Sequence, residues 1–207
     1  MSTDTQKSVE LIQEIAKDVF LDALEIMQLI EVMKRQNTNQ INKSLSKAGA
    51  GNAALAVRNS FIARITTLVA RCYAQSREDD KHLRRAFELL DIAPVRKAIE
   101  EPGSKSALLE AEAGWKQVAA GDSAKRVKHF RDKLTAHWAK PNPDIPLPSY
   151  AELFEFALST ARVMEKLAHA VGRTDTLDEM MEPYARSAQA FWKPWEASEA
   201  QPKGAKN

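Results

Sequence analysis

The sequence predicts an all-α fold, and three observations carry that expectation. Only seven of the 207 residues are glycine, while the good helix formers Ala, Leu, Glu, Lys and Arg are abundant. Apolar residues recur three and four apart over long stretches, which is the period of one helix face. No stretch alternates apolar and polar residues as a half-buried strand does. A chain of this length buries one core, so residues 1–195 are expected to form a single domain and 196–207 a disordered tail. The expected architecture is an up-and-down bundle of about five to seven helices.

From Asp4 to Gln36 the pattern runs without a break through Val9, Ile12, Ala16, Val19, Ala23, Ile26, Ile30 and Met33. Ile15, Phe20, Leu24 and Met27 widen the stripe beyond a coiled-coil seam, as suits a helix packed on several sides. At 1.5 Å per residue this helix is ~50 Å long and forms the natural spine of the fold. Asn37 to Asn52 is polar and broken by Gly49-Ala50-Gly51, so it reads as a loop. A second long helix from Ala53 to Gln75 places Leu55, Ile62, Ile65, Val69 and Cys72 on its core face. A shorter helix spans Lys81 to Leu90, Pro94 opens another, and Pro102-Gly103 closes it. Residues 104–120 are weakly helical.

Ser123 is the expected N-cap of a helix reaching Trp138, where Pro141, Pro143, Pro146 and Pro148 prevent continuation. Ser149-Tyr150-Ala151-Glu152 has the capping-box pattern and starts a helix to about Val171, which Gly172 ends. Thr174 or Asp175 caps a last helix through Trp192 and Trp195.

The composition excludes several classes. A formal charge of +2 gives no global basicity, so a nucleic-acid partner must be met by a local patch. The single cysteine, Cys72, rules out an intramolecular disulfide and argues against a thiolate metal site. Its neighbours Leu68, Val69 and Tyr73 make it a packed core thiol. The polar N-terminus does not read as a signal peptide, and no apolar run approaches the ~18 residues of a membrane span. The expected location is cytoplasmic, with no membrane partner.

One segment carries chemistry. Arg131-Asp132-Lys133-Leu134-Thr135-Ala136-His137 places a phosphate-holding fork, a polar residue and a proton-transferring imidazole within one helix and its end. An arginine with a nearby histidine also occurs at Arg77–His82 and Arg162–His169, so the pattern alone is weak. Context favours the Arg131 segment. Val127, Leu134 and Trp138 form a narrow apolar stripe on an α-helical wheel, with Arg131 and His137 on its borders about 120° apart. Such a face suits a helix that meets its own symmetric copy. Lys125, Arg126, Lys128, His129, Arg131 and Lys133 make the segment locally basic, a footprint for an RNA backbone. The equally physical alternative is a helix of snorkelling basic residues capped by a histidine.

The motif resembles that of the HEPN superfamily, small all-helical domains with an arginine, a polar residue, and a histidine after a short spacer. Phe130 to His137 and the layout over roughly residues 5–195 are most similar to the abortive-infection, AbiU-like branch. The resemblance implies a metal-independent endoribonuclease without cofactor, acting as a homodimer on an RNA substrate in a toxin–antitoxin or phage-defence system. A nucleotidyltransferase-type antitoxin would be a fitting partner. It also implies that Arg131 contacts the scissile phosphate, Asp132 is its polar partner and His137 is the general acid or base. Lys128, Lys133, Arg64 and Arg71 are secondary RNA-binding candidates, and Tyr184, Trp192 and Trp195 either stack a base or pack in the core. The alternatives are a catalytically silent HEPN-type module binding RNA, nucleotide or a protein, and a plain helical scaffold.

Overall fold

The computed structural model describes residues 2–78, 80–101, 104–136 and 140–196, with 134–136 as backbone only. The Pro102-Gly103 stop, the side chain of Leu134, His137, Trp138 and the tail from 197 lie outside that description. Among the described residues the chain forms nine α-helices, one π-helical turn and no strand. The helices are α1 (Thr3–Gln36), α2 (Asn39–Lys47), α3 (Gly51–Cys72), α4 (Leu83–Leu90), α5 (Ala93–Glu100), α6 (Lys105–Ala120) and α7 (Asp122–Phe130). The π-turn (Arg131–Ala136) follows α7 directly, and α8 (Tyr150–Ala170) and α9 (Leu177–Glu196) complete the chain.

Helix α1 is the spine that its sequence pattern predicts. All eight residues of the repeating stripe, Val9 through Met33, are buried, and so are Ile15, Phe20 and Leu24. An apolar surface this wide needs cover from several directions. It receives that cover from α3, α4, α5, α8 and α9, all of which pack on it. Helix α8 packs on α1 and also along α6, burying Leu153, Phe156, Ala157, Val163, Met164 and Leu167. The Ser149–Glu152 capping box is formed, with the Glu152 amide donating to the Ser149 hydroxyl (3.2 Å) and the Ser149 amide donating to Glu152 (2.7 Å). Gly172 follows α8 with φ of 98°, a conformation that favours glycine.

Several expectations are corrected. The polar stretch after α1 is not a plain loop, because Thr38 caps α2 by accepting from the Ile41 amide (3.3 Å). The two apolar residues Ile41 and Leu45, four apart, are buried against Trp192 and form a small second core. Trp192 thus packs rather than stacks a base, and its indole N–H donates to the Val32 carbonyl (3.1 Å). Tyr184 is exposed and Trp195 is packed beside the small core. Leu55, assigned to the core face of α3, is exposed. Gly121 rather than Ser123 caps α7, and Thr176 rather than Thr174 or Asp175 caps α9 through a reciprocal pair with Glu179. By length and composition α3 is apolar enough to cross a membrane (mean hydropathy 1.2), against the expectation that no segment is. In the bundle its Ile62, Ile65, Val69 and Cys72 are buried. Burial pushes the Cys72 thiol up to about 12, as befits a packed core thiol.

The contact of α6 with α8 is close enough to select glycine at one position. A Cβ built on Gly114 would lie 2.9 Å from Cγ2 of Val163, a stiff β-branched side chain that is itself buried. Gly114→Ala is expected to lower the melting temperature, because overpacking of about 1–3 kcal/mol outweighs a helix-propensity gain of about 1 kcal/mol. Combining it with Val163→Ala should give a non-additive recovery in a double-mutant cycle. Strictly additive melting shifts would show that the two helices yield freely.

Candidate functional site

The basic segment is built on α7 and the π-turn, and α3 packs along both. At Arg131 the backbone passes from α-helical to π-helical hydrogen bonding. Single π-helical turns of this kind are uncommon and recur at functional sites. The change also alters the angular step per residue. The wheel that set Arg131, Leu134 and His137 around one stripe assumed α-geometry through a segment that does not adopt it. Val127, the first member of that stripe, is only 1% exposed and packs inside the protein's own core. It is therefore not available to face a second copy.

Arg131 and Asp132, neighbours in the chain at the start of the π-turn, pair through their side chains. The Arg131 Nε donates to Asp132 Oδ1 (2.7 Å), and its Nη2 donates to the same oxygen. Both side chains are less than a third exposed. The carboxylate therefore fixes the plane of the guanidinium fork. Lys128 lies one helical turn before Arg131, hence on the same side of α7, and is exposed. Lys133 is half-buried. Neither lysine has an ion-pair partner among the described residues. His137, the third member of the expected catalytic set, lies outside them.

Other residues expected in the basic footprint do structural work. Arg126 forms a bidentate pair with Glu152, both contacts 2.9 Å, and also donates to the carbonyls of Pro146 (3.2 Å) and Leu147 (3.4 Å). His129 is buried, and its Nε2 accepts the Asn142 amide N–H (3.1 Å). That bond requires an unprotonated Nε2 on His129. Together these contacts fasten the proline-rich segment to α7 and to the start of α8. Arg64 and Arg71 are likewise committed to α1. Arg64 is bidentate to Glu25 (2.6 and 2.7 Å), and Arg71 pairs with Asp22. These pairs brace α1 against α3, and both arginines remain about half exposed.

The two other arginine–histidine pairs are structural. His82 is buried and caps α4, accepting the Arg85 amide at Nδ1 (3.4 Å). Arg162 reaches Glu165 (3.0 Å) and Asp178 (2.6 Å), while His169 meets the Asp175 carbonyl (2.9 Å). Sequence reasoning found Glu152 as a cap but missed its partner, because Arg126 lies 26 positions away and reads as one more basic residue of the patch. Nothing in the local pattern marks His129 as buried.

The family model for AbiU2, a HEPN-type family, matches residues 6–191, a span that contains the whole Arg131–His137 segment. No curated protein and no solved structure matches the chain.

The Arg126 pair and the Ser149 amide together hold the Glu152 carboxyl at about 2, well below its ordinary value of 4.5. A depressed carboxylate contributes stability that is fully present above pH 4.5 and lost as the pH falls toward 2. Glu152→Gln should therefore lower the melting temperature at pH 7, and the gap from wild type should close between pH 4.5 and 2. A gap that stays constant over that range would assign the effect to something other than the charge.

Proposed function

The chain belongs to the AbiU2 family of HEPN proteins, and from that premise we propose that it is a metal-independent endoribonuclease of an abortive-infection or toxin–antitoxin system. The observation that carries the proposal is the Arg131–Asp132 pair on the π-turn: a guanidinium fork fixed in plane beside exposed Lys128. A planar fork matches two phosphate oxygens, and fixing it beforehand reduces the entropy lost on binding.

In the proposed reaction Arg131 holds the scissile phosphate and Asp132 keeps the fork oriented. His137 takes the proton from the 2′-hydroxyl, whose oxygen attacks phosphorus. The bond from phosphorus to the 5′-oxygen breaks, and a protonated imidazole gives its proton to that leaving oxygen. The products are a 2′,3′-cyclic phosphate and a 5′-hydroxyl. Acid and base are most simply the His137 side chains of two copies meeting at a homodimer interface. The Val127 face does not supply that interface, which makes the surface beyond Arg131 its proposed seat. An antitoxin of nucleotidyltransferase type and a cytoplasmic location complete the proposal.

Purified protein incubated with tRNA and ribosomal RNA in EDTA is expected to cut, leaving cyclic-phosphate ends. His137→Ala should slow cutting by about 10²–10⁴-fold, and Arg131→Ala should abolish it at comparable protein concentrations. Absence of cleavage by the wild type would favour a catalytically silent binding module. Equal cleavage by all three would show that the activity resides elsewhere.

A further inference from the structure

A cleft of about 600 Å³ opens between α4, α5, α6 and α7, with Tyr73 just past the end of α3, on the side of α7 that also carries Lys128. Its floor is aromatic. Trp115 stacks on Tyr73 (5.2 Å between ring centres, 13° between planes) and on Phe87 (5.0 Å, 8°). The Tyr73 hydroxyl is tied to Thr160 (2.8 Å), which fixes the ring. The arginines at the rim are already spoken for: Arg84 is paired with Glu88 and Arg96 with Glu112. Two exposed lysines, Lys116 from α6 and Lys128 from α7, converge on the cleft with no ion-pair partner among the described residues. Lys125 adds a third cation, loosely held to Asp122 at 3.4 Å. Asp91 also lines the cleft and makes no ion pair among the described residues. It is the one acidic group there not offset by an arginine.

An apolar aromatic wall beside unpaired ammonium groups is complementary to a base joined to a phosphate. A cleft of this volume lies in the range that holds small molecules and single nucleotides. We infer that the cleft is a nucleoside-phosphate subsite, in which the aromatic wall takes the base and Lys116 and Lys128 take the phosphate. The same chemistry comes from two sources: a nucleotide flanking the cut in an RNA strand, or a free nucleotide that modulates the protein. Asp91 is placed to accept from an N–H on the base edge and disfavours a phosphate at its end of the cleft. The proximity of Lys128 to Arg131 connects the cleft to the ribonuclease proposal, and the strand source rests on that reading.

The test is binding by the full chain of two probes: a labelled 2′-O-methyl RNA heptamer, which cannot be cut, and free adenosine and guanosine phosphates. Each is titrated against wild type, Lys116→Glu, and Lys7→Glu as a charge reversal on an exposed residue that does not line the cleft. The inference predicts that wild type binds at least one probe, that Lys116→Glu weakens it at least tenfold, and that Lys7→Glu leaves it within about twofold. Binding of the heptamer alone identifies the strand source, and binding of free nucleotide identifies the other. If neither probe binds, or the two reversals behave alike, the inference is overturned. Its failure and that of the ribonuclease reading are separable. Nucleotide bound in the cleft without RNA cleavage refutes only the enzyme, whereas cleavage with a Lys116-independent heptamer affinity refutes only the cleft.

Discussion

A helix of 34 residues whose apolar surface is wider than one face has to be enclosed, and the rest of this bundle is arranged to enclose it. Among the described residues α3, α4, α5, α8 and α9 pack on α1, and each brings its own apolar stripe. The ion pairs Arg64–Glu25 and Arg71–Asp22 sit at the edge of that burial, where they set how α3 lies against α1. Half-exposed pairs of this kind contribute little energy individually, so their consequence is orientation more than stability. The orientation matters because α3 is also the support against which α7 and the π-turn rest.

The segment that carries Arg131 is fastened on its N-terminal side and across the proline-rich stretch that follows. Arg126 reaches Glu152 and two loop carbonyls, and His129 receives the Asn142 amide. Glu152 thereby serves both as the capping-box acid of α8 and as the anchor of α7. A proline-rich stretch makes few backbone hydrogen bonds of its own, so side chains from α7 supply the acceptors and donors that hold it. The chemistry of the motif is thus separated from its support. Arg126 and His129 hold the scaffold, while Arg131, Asp132 and Lys128 face the work proposed for them.

How much of this is legible in the sequence depends on whether the determining signal is local. Periodicity over α1 predicts nearly all of its buried face, Met27 being only half-buried, and the Ser149–Glu152 spacing predicts the capping box, because both are set within a few turns of chain. Helix α2 is missed because two apolar residues among polar ones are too few to establish a period, and Trp192, which they pack on, is far away in sequence. The exposure of Leu55 and the burial of His129 depend on neighbours that no local pattern names. The motif arginine and its acidic partner are readable as a pair, but the π-turn that carries them is not. A one-residue change in hydrogen-bond register leaves no trace in a pattern of apolar positions. Of the basic residues, only the tertiary contacts tell the fixed ones from Lys128 and Lys133.

The central claim is that the planar fork of Arg131, oriented by Asp132, is what acts on the scissile phosphate. Its most direct test is the single-turnover cleavage rate of Arg131→Lys at saturating RNA, since lysine keeps the charge and loses the fork. The account predicts a rate lower by on the order of 10²-fold, with RNA affinity nearly unchanged. A rate close to that of the wild type would contradict it, and would reduce Arg131 to a point charge in the basic patch.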